Sequence, residues 1–524
     1  MSESEVALDG ESLTPADVEG VARDSASVAV TDEAREAVRE SRSRVEDVVD
    51  SGLAVYGVNT GFGELVDQRI APEEIPALQH NLVRSHASGT GRTLDAEEVR
   101  AMLLTRLNAL VKGYSGVRES VVDLLMEMIN RGVHPVVRSK GSLGASGDLA
   151  TLAHLALVLI GEGEADVEGT RLPGDEALAS VDLTPVELGA KEGLALINGT
   201  QLTVGLGALL VRDAERAVRA ADVAGAMTTE VTMGTTASSH RSIQSVRPHD
   251  GHAESAANVR RVTAGSEIVE SHRNCDRVQD AYSLRCLPQV HGAVRDALDH
   301  VRSTVTTELN SATDNPLVFE ASAVDDRASG TDESAVISGG NFHGEPLALP
   351  LDYLTSALTE LAAIAERRID RMLNPNIQEA PLPPFLTPEP GLQSGYMILQ
   401  YTAADLVSTN RSIGRPSVDN IPVSGNQEDH VSMSAQSALA ARRAVENTLG
   451  VVGTELVCGA QALDFFDDLT PGVGTTAAYE SVRSEVEGLD EDRPLHRDID
   501  AARELIRSGK LDDRVESVVG EPLD

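Results

Sequence analysis

The sequence predicts a mainly α protein, and three observations lead there. Aliphatic residues recur at steps of three and four over long stretches, two-residue alternation is scarce, and no internal repeat or low-complexity linker divides the chain. In chain order, Val38, Val45, Val48 and Val49 follow a cap at Thr31-Asp32 and read as one helix. Val99, Leu103, Leu107 and Leu110 mark a second, a third runs through His154 to Ile160, and Leu347 to Leu373 forms a long one. Gly52 to Tyr56 and Pro316 to Glu320 are the strand candidates. Gly193 to Val211 is long enough for a bilayer but contains Asn198, Thr200, Gln201 and Thr203, so it reads as a buried helix with a polar head. Val324 to Ala335 is acidic and reads as a solvated loop insertion. A soft boundary near residue 200 separates a polar, glycine-rich part, 1–200, from a long-helix part, 201–524.

Composition narrows the function classes. With 41% hydrophobic and 24% charged residues over 524 positions, the chain can bury a sizeable core. The 44 Lys and Arg against 83 Asp and Glu leave a net charge of −39, which repels phosphate backbones and anionic membranes, so neither nucleic acid nor membrane is an expected partner. With 2% aromatics and no Trp, base-stacking platforms are excluded as well. Lys occurs only at Lys112, Lys140, Lys191 and Lys510, a skew that suits a halophilic, salt-accumulating cell and predicts stability rising with salt. Cys275, Cys286 and Cys458 form no CxxC pair, and the first residues are acidic, so a soluble, cytoplasmic protein is expected.

Seven glycine- and asparagine-rich knots interrupt the aliphatic background: 56–63, 81–91, 141–148, 198–201, 279–289, 338–346 and 427–433. Together they suggest one composite site. The most informative is Gly141-Ser-Leu-Gly-Ala-Ser-Gly-Asp-Leu-Ala150, which fits neither a Walker loop nor a dinucleotide loop. Gly147 lacks a side chain, so its amide nitrogen can approach the Ala145 carbonyl. Ring closure and dehydration of Ser146 would yield a methylidene-imidazolone, an alkene conjugated to a carbonyl, with no added cofactor. The helix that follows would aim its positive end at that ring.

From Tyr56 to Met433 the chain resembles the aromatic amino acid ammonia-lyases, which use this self-made group. The resemblance implies an aspartase/fumarase-like fold: a long-helix central bundle, a smaller N-terminal part with the electrophile loop, and a homotetramer whose sites borrow neighbouring loops. It assigns Ala145, Ser146 and Gly147 to the prosthetic group and Asn198 to its carbonyl. Tyr56, in Tyr-Gly-Val-Asn-Thr-Gly-Phe-Gly63, is a candidate base on a lid, with Tyr282 as partner or alternate. Arg285, with Asn315 as helper, suits a substrate carboxylate, and Gln279 is a neutral amide in the same segment as Arg285.

Substrate choice is expected at His86 and Glu428, which can hydrogen-bond an imidazole but would do nothing for a benzene ring, with Phe342 against the substrate ring. Histidine is therefore the favoured substrate, with trans-urocanate and ammonia as products and this step opening histidine degradation. Attack on the alkene by the amine or by the imidazole both fit these residues. A phenylalanine or tyrosine lyase, an aminomutase and a non-catalytic helical oligomer are the alternatives. His240, His249, His252 and His272 match no metal-site spacing and read as structural or surface groups, so no metal is expected.

Overall fold

The structure is a computed structural model that describes residues 5–58, 60, 70–273, 277–325, 328–379 and 381–524. Asn59, Gly61, Phe62 and Gly63 of the Tyr56 motif, and Cys275, lie outside the described residues, as do Asp326 and Arg327. Twenty α-helices and ten short strands are present among the described residues, so the mainly α expectation holds. The chain divides into two compact units: 1–212 with 302–352 and 415–439, and 213–301 with 353–414 and 440–524. The first unit thus gathers three separated segments, where the sequence suggested one boundary near residue 200.

In the first unit, the helix Asp32–Ser51 starts where Thr31 accepts a hydrogen bond from the Ala34 amide, and it buries Val38, Val45 and Val48. It ends at Gly52, whose φ of 68° is left-handed. The predicted strand from Gly52 to Tyr56 does not form. Gly52 and Gly57 both turn the chain at positive φ, and Val55 and Val58 pack into a cluster with Val45, Val48 and Val318 instead of pairing edge to edge. The second strand candidate does form, as Leu317–Glu320, antiparallel to Ser334–Ile337 with Val318 opposite Val336. The acidic insertion is therefore not all loop: its end, Ser334 and Ala335, is buried strand.

The helix Ala96–Val111 is buried along almost its whole length. The uncharged stretch from residue 193 is not one helix. Glu192–Ile197 and Gln201–Val231 are separate helices, broken where Gly199 takes a φ of 139°. That break is what turns the Asn198 side chain out of a helical ladder.

In the second unit, parts of four long helices are tied by buried charge. These are Gln201–Val231, Leu287–Leu309, Glu345–Leu373 and Ser434–Leu463. Asp222 accepts from His291 Nδ1 at 2.7 Å and from Arg295 at 2.6 Å. Arg368 donates to both oxygens of Glu455, at 2.5 and 2.9 Å, and to His291 Nε2 at 3.2 Å. Thr228 adds a further hydrogen bond to Glu455 at 2.7 Å. Burial pushes the Asp222 carboxyl up, but Arg295 and His291 outweigh it and hold it well below the usual carboxylate range.

Candidate active site

A cavity of about 900 Å³ in the first unit is lined by Tyr56, His86, Ala145, Ser146, Asn198, Asn315, Phe342 and Glu428. The loop at its floor runs from the strand Arg138–Lys140 to the helix Leu149–Leu159. Its main chain is held from one side: the Leu143 carbonyl accepts from the Met433 amide at 2.7 Å, the Gly144 carbonyl from Ser432 Oγ at 2.9 Å, and the Ser142 carbonyl from Gln436 Nε2 at 2.6 Å. Asp148, fully buried, donates its amide to the Gly199 carbonyl at 2.6 Å and accepts from Ser142 Oγ and the Thr203 amide. Burial pushes its carboxyl up despite those bonds.

Gly147, beneath the cavity surface, must be glycine. Its φ is 74°, and a Cβ there would stand 2.1 Å from the Gly199 carbonyl oxygen. Asn198 Nδ2 donates to the Ser146 carbonyl at 2.8 Å, while its buried Oδ1 has no hydrogen-bond partner. Ser146 Oγ donates to Glu428 at 2.8 Å. His86 donates from Nδ1 to the Leu82 carbonyl at 2.8 Å, which leaves Nε2 as the ring nitrogen for a further partner. Asn315 accepts from the Gly339 amide at 2.7 Å and donates to Ser338 Oγ at 3.1 Å.

These residues fit a self-formed methylidene-imidazolone. Closure of Gly147 N onto the Ala145 carbonyl carbon would expel the Ala145 oxygen as water and make the Ser146 C=O the ring's carbonyl, and its oxygen is the one Asn198 already holds. The Ser146 hydroxyl, which dehydration would remove, lies against a carboxylate.

Gln279, Tyr282 and Arg285 do not line this cavity. They belong to the second unit, where they border a separate opening of about 600 Å³ with Thr235 and Val278. Tyr282 is 71% exposed, and the Arg285 guanidinium lies 4.6 Å from the centre of its ring. The rings of His249 and His252 are 4.5 Å apart, and among the described residues no three metal-ligating side chains converge. Two cavity histidines went unassigned from sequence: His343 and His430 stack with an interplanar angle of 6°. Both lie in polar knots already singled out, so their position was signalled although their pairing was not.

This is the architecture of a helical, aspartase/fumarase-like lyase. Residues 13–484 match the family described as aromatic amino acid lyase, and the chain belongs to it. It is 62% identical over the full length of both chains to a probable histidine ammonia-lyase of Halobacterium salinarum. Among solved structures it is similar to histidine ammonia-lyase from Trypanosoma cruzi, at 39% identity and a TM-score of 0.89, covering 98% of this chain and 95% of that one. It is also similar to tyrosine aminomutase from Streptomyces globisporus, at 36% identity and a TM-score of 0.92, covering 99% and 100%.

Proposed function

We propose that this chain is a histidine ammonia-lyase, which converts L-histidine to trans-urocanate and ammonia and opens histidine degradation. The observation that carries this reading is the first unit's cavity, where Ser146 is gripped by Asn198 and faces Glu428, with His86 in the same wall. The full-length likeness to a probable histidine ammonia-lyase supports it over the aminomutase reading.

The reaction removes a β-hydrogen and the α-amine from the substrate. Once formed from residues 145–147, the methylidene-imidazolone would supply an electron-poor alkene. Asn198 would donate to its carbonyl oxygen, and the helix Leu149–Leu159 presents its N-terminal end at the same place, so both would stabilise negative charge building up there. Tyr56 Oη takes the β-proton; it needs hydrogen bonds or cations nearby to do so at neutral pH, since a free phenol has a pKa near 10. His86 and Glu428 hydrogen-bond the substrate imidazole, and Phe342 lies against its ring. Asn315 and Arg285 bind the substrate carboxylate, with Gln279 beside them.

Gln279, Tyr282 and Arg285 border a different opening, and the resemblance to a family whose sites borrow neighbouring loops supports their reaching this site from another copy of the chain. A homotetramer would provide such a copy, and the exposure of Val278 at 95%, with Tyr401 and Val418 also largely exposed, supports self-association. Cys286 and Cys458 as free thiols, with the acidic composition, support a cytoplasmic and salt-adapted enzyme.

A substrate panel with product identification tests the reading. Urocanate and ammonia from histidine, with negligible turnover of phenylalanine and tyrosine, is the expected result. A β-amino acid product would establish an aminomutase instead.

A further inference from the structure

One buried charge beneath the cavity has no role in the reaction described so far. Arg106, in the helix Ala96–Val111, is fully enclosed. It donates to the Ala195 carbonyl at 3.0 Å, to the Asn198 carbonyl at 2.7 Å and to Gln201 Oε1. All three acceptors are neutral, and Arg106 Nε has no partner. A buried guanidinium normally meets a carboxylate, because removing a charge from water is costly unless an opposite charge offsets it. Burial pulls its pKa down to about 10, with Asp314 and Asp148 opposing from a distance, so it stays charged at neutral pH.

What Arg106 holds is the turn that defines the electrophile's surroundings. Its fork binds the last carbonyls of the helix Glu192–Ile197, where Asn198 is the C-cap. A Cβ on Gly199 would fall 2.7 Å from Arg106 Nη2, so the guanidinium packs directly under that residue. Gly199 in turn offers its carbonyl to the Asp148 amide and bridges to Gly147, while Asn198 grips the Ser146 carbonyl.

We propose that Arg106 is a positioning residue for the electrophile: it fixes the Asn198-Gly199 turn so that the 145–147 segment is aligned for cyclisation and its carbonyl stays polarised during turnover. This rests on the reading of residues 145–147 as a self-processing segment. Arg106 touches no cavity surface, so it acts through Asn198 and Gly199, not on the substrate.

The test uses the full-length chain and combines intact mass with kinetics. The unaltered protein should be two waters lighter than its sequence; if it is not, the self-processing reading fails and this proposal with it. Arg106→Lys keeps the charge but loses the fork. It should fold and assemble normally, show an incompletely dehydrated population, and lose about 10- to 100-fold in kcat with KM little changed. In an Asn198→Ala background the same substitution should cost clearly less than it does alone, because part of its effect runs through the Asn198 side chain. Full dehydration with unaltered kcat, or additive effects in the double variant, would overturn the proposal. If Arg106→Lys does not fold, Gln201→Glu decides. It leaves Arg106 in place but draws its fork to a carboxylate, so reduced dehydration and kcat support the proposal and unaltered values overturn it.

Discussion

The cavity floor of the first unit and the helix knot of the second are both built from buried polar groups, but only the knot is fully partnered. Asp222 has both oxygens occupied, Glu455 has both oxygens on Arg368, and His291 uses both ring nitrogens. Under the cavity, Asn198 Oδ1 and Arg106 Nε are unsatisfied, and Gly147 and Gly199 hold backbone conformations that a side chain would oppose. Satisfied buried groups lock helices in one register, whereas a group left short is available to chemistry that has yet to occur. Changes in the floor should therefore cost activity, and changes in the knot should cost stability.

The largest expected effect separates the two. Ser146→Ala should abolish turnover, by about 10³-fold or more given what losing transition-state stabilisation costs elsewhere, and the chain should no longer be two waters lighter. Its denaturant midpoint should stay close to that of the unaltered protein. Glu455→Gln should do the opposite. It leaves Arg368 buried without a counter-charge, which costs about 3–5 kcal/mol in unfolding experiments, while kcat per folded molecule is preserved. An inactive but stable Glu455→Gln variant would break the comparison. Next in size, Glu428→Gln should lower histidine turnover by the equivalent of about 1–3 kcal/mol, since it removes the charged acceptor but keeps the shape. Competition assays against phenylalanine would show the preference for histidine narrowing.

Much of this was legible in the sequence because local rules decided it. Thr31 caps its helix, the Val38-Val45-Val48 stripe faces inward, and the electrophile segment announces itself by residue type. What stayed hidden depends on distant contacts. An uncharged stretch such as 193–211 carries no mark distinguishing one helix from two, and the break appears only once Gly199 is set against Gly147. The strand expected at 52–56 was lost to two glycine turns that alternation cannot reveal. Arg368 and Glu455 looked like ordinary charges on helix faces, because their partners lie 87 positions apart. Arg106 did leave a trace: it falls three residues after Leu103 and four before Leu110, on the apolar stripe itself, where a charge must be either a fault or a function.

The smallest effect tests the knot by pH. His291 is enclosed, donates from Nδ1 to Asp222 and accepts at Nε2 from Arg368. Burial and the Arg368 charge hold its pKa below the ordinary value against the pull of Asp222, so the fold favours the neutral ring. The unfolded chain protonates this ring below about pH 6.5 and the folded chain only at lower pH, so stability must fall as pH drops through that value. Asp222 acts in the same direction but lower: its contribution is complete above about pH 4 and is lost only as pH falls toward its own depressed pKa. His134 and His154 are shifted downward by burial too, so the total slope is shared with the first unit. Replacing the ring with a group that donates and accepts but does not titrate isolates its part. In His291→Asn, the fall in denaturant midpoint between about pH 6.5 and 5 should flatten by up to one proton's worth of slope, while Ser146→Ala leaves it unchanged. An unchanged slope in His291→Asn would mean that the knot does not hold this ring neutral.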